Sequence, residues 1–341
     1  MNRYHQFFVL GLLLFLFPVF SSSCEKDDPG TTKAATTDTT TVKTSLLKMA
    51  DPTIFCYKDT FYLYGTSSDE GIQVYKSADL KTWEGPCGAT DGFALKKGDS
   101  YGTAGFWAPQ VFEYHGKLFM AYAADEHIAI ASSDSPVGPF KQKTLQCISG
   151  TTKQIDPYVF FDENGKAYLY YVRLLDGNNI YVSPMKEDLS DIKADSVTLC
   201  IKASNAWENT ENAPWPVTEG PSVLKYNNLY YLFYSANDYR NIDYAVGYAT
   251  STFPCGPWEK TADSPIISRN NVGRNGTGHG DFFTGKNNQL YYVFHLHYSN
   301  TEVQPRVTGL VQCSFMKNAQ GVYQMKPAMN TFKYLKYIVK D

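Results

Sequence analysis

The chain has 341 residues, with 31 Lys and Arg against 34 Asp and Glu and a formal net charge of −3. That balance gives no electrostatic case for nucleic acid, and none is expected as a partner. Tyr (26), Phe (21) and Trp (5) are abundant, a composition suited to β-strands and to surfaces on which sugar rings stack.

At the start of the chain a short polar segment carries Arg3, the apolar run FFVLGLLLFLFPVF (7–20) follows, and then SSSC. An apolar core of about 14 residues falls short of the roughly 20 that a membrane helix needs, so this is the plan of a secretory signal. Ser21–Ser23 ahead of Cys24 resemble the cleavage box of bacterial lipoproteins, in which that cysteine becomes the lipidated first residue. The acidic EKDD that follows is similar to the surface-export signal of Bacteroidetes lipoproteins. The expectation is a lipoprotein signal peptide over 1–23 and a lipid anchor on Cys24. The anchor would hold a monomer at the outer membrane, facing the periplasm or the exterior.

Residues 24–45 are dominated by Thr, Asp and Lys without apolar periodicity, which describes a flexible, disordered tether. The folded domain is expected over 46–341. Beyond Cys24 there are cysteines at 56, 87, 147, 200, 255 and 313. No Cys-x-x-Cys or zinc-like spacing links them, so they read mostly as buried structural thiols.

Next comes a repeat. DPTIFCYKDTFYLYGTS, APQVFEYHGKLFMAYAA, DPYVFFDENGKAYLYYV, GPSVLKYNNLYYLFYSA and GDFFTGKNNQLYYVFHL begin at 51, 108, 156, 220 and 280. Each is an apolar run, a short turn and an aromatic run, with turns such as His-Gly, Glu-Asn-Gly and Asn-Asn that suit hairpins. Third and fourth strands follow in segments such as GIQVYKSADLKTWEG and VGYATSTFPCGPWEK. Four strands repeated five times predict an all-β, five-bladed β-propeller with four antiparallel strands per blade; a β-sandwich with long loops is the rival.

In a propeller the first strand of each blade lines the central channel, so the repeat heads converge at one mouth. Those heads, or the residues just before them, are Asp51, Trp107 with Ala108, Asp156, Glu219 and His279. Three carboxylates and an imidazole therefore meet from distant segments. Trp107, Phe106 and Trp215 are aromatic residues close to these heads and are candidate sugar-binding platforms.

At ADP (50–52), FWAPQV (106–111), IDPYVFFDENGKAYLYY (155–171), TEGP (218–221), GHGDFF (278–283) and Arg306 the chain resembles glycoside hydrolase family 43. The resemblance spans all five repeats, about residues 46–330. It implies an inverting glycosidase in which Asp51 is the general base, Glu219 the general acid, and Asp156 a third carboxylate that orients the acid and keeps it protonated. Inversion requires an acid and a base on opposite faces of the sugar, with room for a water between them. By the same resemblance Arg306 reaches the sugar, and His279 lies beside a calcium or other cation held mostly through waters in the channel. No cofactor is required for the chemistry.

The substrate class implied is plant cell-wall polysaccharide or oligosaccharide, with release of α-L-arabinofuranosyl or β-D-xylosyl units. An endo-arabinanase and a propeller that binds glycan without cleaving it are the alternatives. His295 and His297, two apart on one strand face, read as structural.

Overall fold

The computed structural model describes residues 42–150 and 152–340. Within them the protein is a β-propeller whose five larger sheets are built of antiparallel hairpins. Four sheets have four strands, opening on the strands Ala50–Tyr57, Gln154–Phe161, Thr218–Tyr226 and Gly278–Thr284. Each opening strand pairs with the next strand in sequence across the short turn that the repeat predicts. These strands neighbour one another in space together with Trp107–Tyr114, and the last of the five packs against the first, so the ring closes.

The count differs from the sequence expectation: the described residues form six sheets, not five. The sheet opening at Trp107–Tyr114 has three strands, and where a fourth was expected there is one isolated bridge between Ser132 and Lys141. The sixth sheet joins Thr44–Leu46, Lys336–Ile338 and Thr82–Trp83. Its strands are two or three residues long and come from distant parts of the chain. No repeat or periodicity announces such a sheet, because nothing local specifies its pairing.

Two further boundaries move with it. Thr44 and Ser45, assigned to the tether, pair with Ile338 and Tyr337. The fourth strand of the first sheet is Phe93–Lys96, while the nearer Thr82–Trp83 leaves for the sixth sheet. Trp83 is fully buried there among Leu63, Phe283 and Leu335, a cluster that welds the first and last sheets together. The signal peptide, the tether and Cys24 lie almost wholly outside the described residues.

Candidate active site

Each of the five inner strands loses register with its partner close to its head. The shifts fall between Ala50 and Thr53, Trp107 and Gln110, Ile155 and Tyr158, Glu219 and Ser222, and Gly278 and Gly280. Inside each bulge one residue is left-handed: Asp51 at φ 48°, Ala108 at 44°, Asp156 at 54°, Gly220 at 59° and His279 at 41°. Such bulges kink a strand and re-aim its side chains, and non-glycine residues occupy this region only under constraint. The five positions are equivalent, and Glu219 and Trp107 each stand one residue ahead of one.

The heads converge as expected. Asp51, Asp156 and Glu219 are all buried and line one cleft of about 380 Å³ with Trp107, Trp215 and Arg306. Gly220 is glycine for two reasons, its positive φ and a Cβ that would come within 2.8 Å of the His279 ring.

The three carboxyls have different surroundings. Oδ1 of Asp51 accepts from Arg306 Nη1 at 2.9 Å and lies 3.2 Å from His295 Nδ1 and 3.4 Å from His279 Nδ1. Its Oδ2 accepts from the Thr66 hydroxyl at 2.6 Å. Burial pushes this carboxyl up, but Arg306 and the two imidazoles outweigh it and hold Asp51 well below the usual carboxylate range. Asp156 has no such guanidinium bond, and His279 Nδ1 lies 3.7 Å from its Oδ2. Burial and the nearby charge of Asp51 push it up to about 7, against an N–H from Gly220 at 3.0 Å.

Glu219 is also pushed up to about 7, by burial and then by Asp156. Its Oε1 accepts from the Tyr244 hydroxyl at 2.9 Å and its Oε2 from Asn178 Nδ2 at 3.0 Å. Asp51 is thus ionised across the neutral range, while Asp156 and Glu219 are both raised to about 7 in the same cleft. This is the division of labour that acid and base catalysis at one sugar needs.

Trp107 lines the cleft, half exposed, with its ring close against the left-handed Gly105. Trp215 lines it too, and its indole N–H donates to Asn178 Oδ1 at 2.9 Å. The Arg306 guanidinium lies 4.4 Å from the Tyr239 ring centre. Phe106 is a correction: it is fully buried and stacks on Tyr122 in the core, so it is no sugar platform. Adjacent residues along extended chain face opposite ways, and Trp107 takes the cleft side.

His279 stands between Asp51 and Asp156, its Nδ1 3.7 Å from Asp156 Oδ2. Beneath it a cavity of about 20 Å³, space for one or two waters, is lined by Thr53, Gln110 and Asp281 among others. Asp281 is engaged already, accepting from the Thr53 hydroxyl at 2.7 Å and from the Phe282 amide. Among the described residues no three His, Cys, Asp or Glu side chains converge on an ion position. The side chains present therefore do not form a cation cage of their own.

His297 is structural, bound to the Tyr239 carbonyl at 2.8 Å. His295 is more than that. Burial and Arg306 push it down to about 3, so it is a neutral imidazole at Asp51, stacked on Tyr244. The six described cysteines are free thiols; Cys313 is buried, but Cys56 is exposed. Tyr244, Asn178, Thr66 and Tyr239 escaped the sequence reading. All lie off the repeat heads, in connectors or on later strands, where only the fold brings them to the carboxyls.

Comparison with known proteins bears on the same region. The sequence profile of glycosyl hydrolases family 43 matches residues 45–319. A solved structure described as an endo-1,4-β-xylanase from Bacteroides thetaiotaomicron is 41% identical, with TM-score 0.79, covering 87% of this chain and all of that one. A β-D-galactofuranosidase of Aspergillus niger is 26% identical over 90% of this chain and 91% of its own. An arabinoxylan arabinofuranohydrolase of Bacillus subtilis is 26% identical over 61% of this chain, which spans only 48% of that protein's length.

Proposed function

Because the chain belongs to glycosyl hydrolase family 43 and is a hydrolase of O-glycosyl bonds, we propose that it works with inversion and that Asp51, Asp156 and Glu219 carry the reaction. Asp51 takes a proton from the attacking water, and Glu219 gives one to the departing glycosidic oxygen. Asp156 orients Glu219 by bonding the adjacent Gly220 amide, and whenever it is ionised its charge raises the acid further above the level that burial sets. The observation that carries this reading is the unlike company of two carboxyls in one cleft, a guanidinium at 2.9 Å from Asp51 and only the neutral donors Tyr244 and Asn178 on Glu219. Asp51 sits under Arg306 and well below its usual range, while Glu219 is raised to about 7. A positioned acid of this kind contributes about 10²–10⁴-fold to the rate.

The substrate we propose is plant cell-wall polysaccharide or its oligosaccharides, with release of α-L-arabinofuranosyl or β-D-xylosyl units. Trp107 and Trp215 offer faces for the sugar, and Arg306 offers donors for its hydroxyls. Endo action on arabinan is the second reading. A neighbouring cavity of about 270 Å³ shares Trp107 and Arg306 with the cleft and leaves room for a chain that runs past it. The lipid anchor on Cys24, outer-membrane attachment and a water-held cation below His279 complete the proposal.

Hydrolysis of aryl α-L-arabinofuranosides and aryl β-D-xylosides by wild type, Asp51→Asn and Glu219→Gln tests the roles. Full activity in either variant sinks the role given to that residue. Proton NMR of the first-formed anomer tests inversion, and a retained anomer overturns it. Radiolabelled palmitate incorporation, lost in Cys24→Ala, tests the anchor.

A further inference from the structure

The amide of Asn178 lies between Trp215 and Glu219, with Oδ1 2.9 Å from the indole Nε1 and Nδ2 3.0 Å from Glu219 Oε2. An indole nitrogen can only donate. It therefore dictates which end of the amide faces it and leaves the NH₂ end for the carboxyl. Glu219 then has one donor on each oxygen, Asn178 on Oε2 and Tyr244 on Oε1. A carboxyl held at both oxygens cannot rotate about its last bond.

We propose that Asn178 is a positioning residue for the acid, with its amide locked by Trp215 so that the carboxyl of Glu219 stays aimed at the glycosidic oxygen. This rests on the reading of Glu219 as the acid. The side chain of Asn178 is not needed to build the local backbone. Its own N–H donates to the Pro216 carbonyl at 2.9 Å, and its carbonyl accepts from the Thr218 hydroxyl at 3.0 Å. The segment ahead of Trp215 is anchored separately by buried Glu208, which binds the Ser204 and Asn205 amides, the Tyr234 hydroxyl and Lys260. The amide is thus free of scaffold duty and committed to the pair it bridges.

The test is leaving-group dependence. On whichever glycone the wild type cleaves, kcat/KM is measured for 2,4-dinitrophenyl, 4-nitrophenyl and phenyl glycosides with Asn178→Ala, Trp215→Phe and Glu219→Gln. A good leaving group departs without a proton, so its rate also reports that a variant is folded. For Asn178→Ala we expect a loss of about 10–100-fold on the phenyl glycoside, part of the full contribution of an acid, and little loss on the dinitrophenyl one. Trp215→Phe keeps an aromatic ring without the N–H and gives the same pattern more weakly. The alkaline limb of the Asn178→Ala pH profile moves up, because an N–H that favoured the ionised carboxyl is gone.

Equal losses on all three leaving groups, or none, overturn the positioning role if Glu219→Gln is steeply leaving-group dependent in the same assay. If Glu219→Gln is not, the acid assignment itself has failed, and the positioning role falls with it.

Discussion

Nη1 of Arg306 lies 2.9 Å from Oδ1 of Asp51, across 255 residues of sequence. Asp51 is buried and Arg306 only slightly exposed, so the pair is poorly screened and sets the charge on Asp51 against the pull of burial. The consequence is a low acidic limb. Catalysis that needs ionised Asp51 persists to acid pH and is lost only as pH falls through its depressed pKa. Arg306→Gln removes the cation, and the acidic limb of kcat/KM is expected to move up by a pH unit or more. An unmoved limb would show that the two imidazoles and the Thr66 hydroxyl suffice against burial.

Glu219 works the other way. Its protonated form is the active one, so kcat/KM is expected to fall about tenfold per pH unit as pH rises past about 7. The same shift bears on stability. A carboxyl raised in the folded state binds more protons there than when unfolded. Its contribution is complete below the unfolded value, near 4.5, and declines as pH climbs to the folded value near 7. Glu219→Gln should therefore melt a few degrees above wild type at pH 8 and show no such gain at pH 4, as read by thermal unfolding at both pH values.

Gly220 is expected to tolerate nothing larger. In Gly220→Ala the new Cβ meets the His279 ring at 2.8 Å, and alanine is strained at φ 59°. A cost of about 1–3 kcal/mol in urea unfolding follows from strain of this kind. It should come with a drop in kcat, since both His279 and the Gly220 amide touch Asp156.

Trp107 and Phe106 are neighbours with opposite fates. Trp107→Ala should raise KM on oligosaccharides severalfold with little change in stability, because its ring faces the cleft. Phe106→Ala should cost about 3–5 kcal/mol in unfolding and leave KM nearly unchanged, because its ring is core. Michaelis kinetics and denaturation on the two variants check the pair; a KM effect at Phe106 would contradict its burial.

Much of the architecture was legible because it is repetitive. Asp51, Asp156, Glu219 and His279 could be aligned by reading five hairpins against one another, and each hairpin is specified locally by a turn and two apolar runs. The sixth sheet could not, since Thr44–Leu46 and Lys336–Ile338 carry no pattern beyond three residues. Phe106 was misassigned for a related reason. Two adjacent aromatics look alike in sequence, and which one faces the cleft depends on the phase of the extended chain.

By itself the sequence determined the all-β class, the repeat and the family, because hairpin propensity and motif spacing are short-range properties. It also named the three carboxyls. Only the tertiary structure decided what each is bonded to: Arg306 and His295 at Asp51, the Gly220 amide at Asp156, Tyr244 and Asn178 at Glu219. Their ionisation follows from those neighbours. Burial and charge act through space over a few ångströms, and residues that meet at that range here are up to 255 positions apart in the chain.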